Sequence, residues 1–179
     1  MKVFIGCSSS DKIEEKYIKL AYDVSGAIAN CGHSLVYGGA SYSMMGECYK
    51  AFSEQKRDII AIMAEKYKED LVNLKLSNNF LVKTSLERIA RIYSESDCFV
   101  ILPGGIGTVE EMFSILEENR TNTWKKIIIY NYEGFYDFII NWLNMNVNSG
   151  FVYEWDIEKI QIVDSIEELI SELGVDENE

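Results

Sequence analysis

Short β-rich runs alternate with longer helical stretches along almost the whole chain, and this alternation limits the fold more than any other feature. The strand candidates are Val3–Gly6, Ser34–Tyr37, Ile59–Met63, Phe80–Lys83, Cys98–Leu102, Lys126–Tyr130 and Ile160–Val163. Several are unbroken Val, Ile, Leu or Phe runs, as expected of strands covered on both faces in a parallel sheet. Between them the periodicity predicts helices near Glu14–Asn30, Met44–Lys56, Ser85–Ser96, Val109–Asn119, Tyr136–Asn148 and Ile166–Leu173. The expected fold is α/β: a doubly wound, mainly parallel sheet with helices on both faces. At 179 residues, with no repeat or linker, residues 1–179 are expected to form a single domain, with a solvated acidic tail from about residue 174. Such sheets bind ligands beyond the carboxyl ends of their strands. The loops after Gly6, Tyr37, Lys83 and Leu102 are therefore where chemistry is expected.

Charge and cysteine usage narrow the partners. Twenty-nine acidic residues against 17 basic give a net charge of −12, which repels nucleic acid and anionic membranes. A small anion remains a suitable ligand if backbone amides bind it. No apolar run reaches the ~18 residues of a membrane span, and the N-terminus lacks a signal-peptide pattern, so a soluble cytoplasmic protein is expected. The cysteines at 7, 31, 48 and 98 show no metal-ligand spacing, and His33 is the single histidine. No metal site and no His-dependent triad is expected. The cysteines read as small buried residues, and His33 as a surface residue. Trp124, Trp142 and Trp155 read as core or subunit-interface anchors.

The segment Leu102-Pro103-Gly104-Gly105-Ile106-Gly107-Thr108-Val109-Glu110-Glu111 leaves a buried-type strand and opens a helix. Gly104, Gly105 and Gly107 allow close backbone approach to a ligand. Thr108 is placed to cap the helix, with Glu111 completing a capping box. A helix start of this kind suits a phosphate. The pattern is neither a Walker loop nor a dinucleotide fingerprint. Two further loops, Gly6-Cys7-Ser8-Ser9-Ser10 and Tyr37-Gly38-Gly39-Ala40-Ser41, occupy the same sheet edge. Ser8 and Gly39 are their candidate binding residues, and the serines are also candidate caps of the first helix. Arg88 opens the helix after Lys83, where the dipole disfavours a cation, so an anionic partner is expected. Arg91 reads as solvated.

These residues resemble the Lonely Guy family of phosphoribohydrolases, long labelled "possible lysine decarboxylase". The family's P-G-G-x-G-T-x-x-E mark matches Pro103–Glu111 at every fixed position, and Ser85-Leu86-Glu87-Arg88-Ile89 occupies the place of its M-H-E-R-K segment. The stretch from Leu35 to Gly46 and the segment Gly134-Phe135-Tyr136-Asp137 are also similar. The resemblance implies a Rossmann-like fold, a homodimer, and hydrolysis of a nucleoside 5′-monophosphate (AMP or a cytokinin-type nucleotide) to free base and ribose 5-phosphate, with no metal or redox cofactor. It places the catalytic arginine at Arg88 and the catalytic glutamate at Glu111. The family's His and Lys beside Glu-Arg are Leu86 and Ile89 here, and Asn119–Trp124 departs from the family's W-x-Q-L-G segment.

The chemistry fits those residue types. Departure of a base leaves oxocarbenium character on the ribose, which a carboxylate stabilises, or the carboxylate holds and deprotonates the attacking water. Glu111 is the candidate; Glu110 is its reserve, expected to face solvent or a ribose hydroxyl. Arg88 could hold phosphate or ribose, or assist the departing base. Two alternatives share the fold: a nucleotide-sensing protein without turnover, and a carrier of a phosphorylated cofactor such as molybdopterin. No lysine has a pyridoxal-phosphate context that would support decarboxylation.

Overall fold

The computed structural model describes residues 1–158 and 160–174. Seven strands form one sheet: β1 (Lys2–Gly6), β2 (Ser34–Tyr37), β3 (Ile59–Ala64), β4 (Asn78–Val82), β5 (Cys98–Ile101), β6 (Lys126–Tyr130) and β7 (Ile160–Val163). Their order is β4-β3-β2-β1-β5-β6-β7, and every pairing is parallel. The chain runs outward from β1 to β4, then crosses back to place β5 on the other side of β1. This reversal between β1 and β5 is the point where such sheets open a ligand crevice.

Side-chain alternation explains the two-sided core. Val3, Ile5, Leu35, Tyr37, Val100 and Ile128 face α1 (Glu15–Asn30), α2 (Ser43–Glu54) and α7 (Ile166–Leu173). Phe4, Val36, Ile62, Phe99, Ile101 and Ile127 face α3 (Ser85–Glu95), α4 (Ile106–Thr121) and the start of α5 (Asp137–Asn148). A one-turn α6 (Glu154–Ile157) and two short 3-10 segments, Glu65–Leu71 and Tyr132–Gly134, complete the described elements. No helix among the described residues is long and apolar enough to cross a membrane.

All seven strands fall where the sequence places them, within one or two residues. The edge strand β4 starts at Asn78, earlier than expected, because pairing with Ile60 and Ala61 recruits two asparagines that carry no apolar signal. Helix α2 stops at Glu54 rather than Lys56, which takes a positive φ of 56°. Helix α4 starts at Ile106, not Val109, so the last glycine of the loop lies inside it.

Several expectations need correction. His33 is fully buried, with Nε2 donating to the Gly174 carbonyl 2.8 Å away, because the chain end folds back over it. The tryptophans lie outside the core, so of the two places expected for them only the subunit interface stays open. Trp142 packs edge-on against Phe113 and stays 42% exposed, Trp155 stacks on Tyr153 at the surface, and Trp124 is half-buried. Cys7, Cys48 and Cys98 are buried, whereas Cys31 is only partly so. The serines after β1 do not cap α1, which begins at Glu15 behind an N-cap Glu14. Arg91 lies at the surface as expected, paired with Glu95 at 3.3 Å and resting over the Phe80 ring. Beyond Gly174 the acidic tail falls outside the described residues.

Candidate active site

The carboxyl ends of β5, β1, β2 and β3 surround a cavity of about 410 Å³. Cys7, Ser8, Ser9 and Ser10 contribute from the loop after β1, and Gly38, Ala40, Tyr42 and Met45 from the next crossover. Met63, Ala64, Tyr67 and Asp70 close the β3 side; Gly105, Gly107, Thr108 and Glu111 form the β5 side; Arg88 reaches in from α3. The volume is in the range of small-molecule sites.

The β5–α4 turn uses its glycines differently. A Cβ on Gly104 would collide with the Thr108 side chain, so this position must be bare for the turn to close. A Cβ on Gly105 or Gly107 would meet nothing, which leaves the helix start open to a ligand. Gly105, not Thr108, is the N-cap, and no side chain caps the helix. The first intrahelical bond runs from the Val109 amide to the Gly105 carbonyl at 3.1 Å. The amides before Val109 thus lack intrahelical partners and carry the positive end of the dipole. Thr108 is buried, one turn too far along to cap. The expected capping box is therefore not formed, because the bare Gly104–Gly105 turn starts the helix earlier. Tyr136 steadies the exit of β5 by donating its hydroxyl to the Leu102 carbonyl at 2.8 Å.

Glu111 is 2% exposed and faces the cavity floor. Its Oε1 lies 2.7 Å from a terminal nitrogen of Arg88, and its Oε2 lies beside Gly6 at the end of β1. Arg88 spans the floor, since its Nε also approaches the Ile62 carbonyl of β3 at 3.4 Å. The anion expected beside Arg88 is thus Glu111. Burial pushes the Glu111 carboxyl above its ordinary range, more strongly than Arg88 pulls it down; Glu110 adds to the rise.

Of the sequence candidates, Arg88, Glu111, Ser8, Gly105, Gly107 and Thr108 meet in this one cavity, while Gly104, Gly39 and Glu110 stand just outside its lining. Gly39 makes the turn after β2 with a φ of +88°, close against Met63 and Leu71. Glu110 is exposed and accepts the Ser85 hydroxyl at 2.5 Å, joining α4 to α3. The two departures from the family pattern have separate fates: Leu86 is 83% exposed, whereas Ile89 is buried under α3. Asn119 holds Tyr93 and the backbone of Lys125, a structural role. Met63 at the end of β3, with Tyr67 and Asp70 in the segment after it, completes the lining at a strand end that the sequence pattern marks but that carries no Gly-rich signal.

The chain is similar to several known proteins. The cytokinin riboside 5'-monophosphate phosphoribohydrolase of Mycobacterium tuberculosis is 29% identical over 171 residues, covering 94% of this chain and 90% of its own. Cytokinin riboside 5'-monophosphate phosphoribohydrolase LOG5 of Arabidopsis thaliana is 27% identical over 153 residues, covering 84% and 67%. The solved molybdenum cofactor binding protein of Rippkaea orientalis shares the fold, with a TM-score of 0.69 at 17% identity over 96% of this chain and 93% of that one. A family model described as "Possible lysine decarboxylase" matches residues 45–173. This chain, with its Pro103–Glu111 segment at the carboxyl edge of the sheet, therefore belongs to that family, the Lonely Guy family of the sequence resemblance.

Proposed function

We propose that this protein hydrolyses the N-glycosidic bond of a nucleoside 5′-monophosphate, AMP or a cytokinin-type nucleotide, giving free base and ribose 5-phosphate. The observation that carries the reading is a buried glutamate, Glu111, gripped by Arg88 and set one to two turns behind an uncapped helix start in the same cavity. From Gly105 to Glu111 the helix rises about 9 Å. Helical side chains lean back towards the N-terminus, which shortens that span to the reach from a 5′-phosphate to C1′ of its ribose.

The phosphate sits on the free amides of Gly105 to Thr108, where a helix start favours an anion. The ribose then lies over Glu111. As the C1′–N bond breaks, the carboxylate stabilises the oxocarbenium-like sugar and takes the proton of the attacking water, whose oxygen bonds to C1′. The base leaves with the bond's electron pair and takes up, through solvent, the proton that Glu111 removed from the water, which returns Glu111 to its starting state. Arg88 opposes the effect of burial on Glu111, favouring its ionised form, and fixes its direction. Anchoring the phosphate holds the sugar in attack geometry, worth several kcal/mol in favourable cases.

The test is release of free base from AMP, GMP, CMP, UMP and isopentenyl-AMP, followed by chromatography. AMP is expected to react and adenosine hardly at all; equal kcat/KM for the two would sink the phosphate-anchored reading. Binding without release from any nucleotide would favour the sensing alternative.

The active form is a homodimer in this reading. Phe138, 82% exposed, joins Val109, Phe113, Ile139 and Trp142 around an apolar surface groove beside the site, and a second copy is the proposed cover.

A further inference from the structure

The cavity's far wall suggests what holds the base. Counted across the sheet, the phosphate-binding turn follows β5, and the segment Glu65–Leu71 follows β3, three strands away. At about 4.8 Å per strand the separation is about 14 Å, the length of an extended nucleoside monophosphate. A nucleotide with its phosphate at Gly105 and its ribose over Glu111 therefore directs the outer edge of its base at this segment.

Of the three carboxylates in that segment, Glu65, Glu69 and Asp70, Asp70 alone lines the cavity. It is half-buried, and no described residue donates a hydrogen bond to it or pairs with it. Beside it Met63 and Tyr67 offer a polarisable and an aromatic surface to a planar ring. Leu71 anchors the segment by packing into the core and against Gly39, so Asp70 is held rather than trailing in solvent. A carboxylate accepts hydrogen bonds and donates none.

We infer that Asp70 reads the base, accepting a hydrogen bond from an N–H on its outer edge, so that the substrate class is nucleotides whose base presents such a donor. Adenine does so through its 6-amino group. A singly N6-substituted adenine keeps one N–H and fits; unsubstituted purine and an N6,N6-dialkyl adenine do not. The inference rests on the phosphate-anchored pose of the proposed function.

The experiment compares AMP with purine riboside 5′-monophosphate, which lacks the amino group, in wild type, Asp70→Leu and Glu69→Gln. A hydrogen bond to a charged group changes transition-state affinity about 10- to 100-fold. The wild-type preference for AMP, as a ratio of kcat/KM, should fall at least about tenfold in Asp70→Leu. Leaving ability differs between the two bases but cancels when the wild-type and variant ratios are divided. Glu69 is exposed and outside the cavity lining, so Glu69→Gln removes a charge nearby and should keep the wild-type ratio. An unchanged ratio in Asp70→Leu, or an equal fall in Glu69→Gln, would overturn the inference. If no nucleotide is hydrolysed, the hydrolase reading fails. The same ratio of ratios is then read from calorimetric Kd values, and equal ratios there would overturn the role of Asp70 separately.

Discussion

Arg88 on α3 and Glu111 on α4 form a 2.7 Å ion pair across the cavity floor, and the carboxylate is almost wholly withdrawn from water. Burying a charge is costly unless a partner and further hydrogen bonds compensate it. A glutamate placed in this way at an open cavity is a group whose ionisation the site controls.

Glu111→Gln and Arg88→Ala are each expected to lower base release from AMP by at least about 100-fold. Their stabilities should differ. Arg88→Ala leaves a buried carboxyl without its partner and should cost about 3 kcal/mol in urea unfolding, while Glu111→Gln keeps a hydrogen-bond acceptor for Arg88 and should cost less. Wild-type rates in Glu111→Gln would remove Glu111 from the mechanism.

Stability should depend on pH through Glu111 with a definite sign. Its folded-state pKa is raised above the ordinary value of 4.5. The folded protein therefore binds the proton more tightly than the unfolded chain. The stabilisation is fully present below 4.5 and is lost as pH rises through the raised value. The wild-type stability minus that of Glu111→Gln should decrease over that window. A difference that stays constant from acid to neutral pH would contradict the raised pKa. The acid limb of kcat/KM should likewise lie above 4.5, because the ionised form is the active one.

Gly107→Ala should separate stability from binding. A Cβ there meets no atom of the protein, and alanine suits a helix better by about 0.5–1 kcal/mol. Thermal unfolding should therefore shift upward, while the methyl group obstructs the phosphate and raises KM about tenfold or more. Gly104→Ala should instead destabilise by about 1–3 kcal/mol through its collision with Thr108. A KM unaffected by Gly107→Ala would place the phosphate elsewhere.

Two buried tyrosines should respond oppositely to loss of the hydroxyl. Tyr37 is fully buried and its hydroxyl has no partner among the described residues, so Tyr37→Phe should be neutral or stabilising by about 1 kcal/mol. Tyr136→Phe removes the bond to the Leu102 carbonyl and should destabilise by about 1 kcal/mol, with a lower kcat/KM because β5 then delivers its loop less firmly. Urea unfolding of both variants provides the comparison.

Phe138→Glu should convert the proposed dimer to monomer, since it places a charge in the apolar groove beside α4. Light scattering of wild type and variant measures this. A wild-type monomer at micromolar concentration would exclude a stable homodimer.

The sheet and most of its helices were legible in the sequence because they depend on short-range patterns. Unbroken apolar runs mark strands covered twice, and Pro103-Gly104-Gly105 marks a strand-to-helix turn whatever surrounds it. Tertiary structure decided the rest. Motifs mark Arg88 and Glu111 one by one, but their ion pair across 23 residues of sequence exists only once α3 packs beside α4. His33 looks like a turn residue until Gly174 folds over it. Asn78 and Asn79 carry no strand signal and become β4 only by pairing with β3. Asp70 is one charge among several on a polar segment until the sheet order sets it three strands from the α4 N-terminus, on the wall of the same cavity. Periodicity determines which residues turn inward; which distant side chains then meet depends on the order of the strands, and strand order leaves no local mark on the chain.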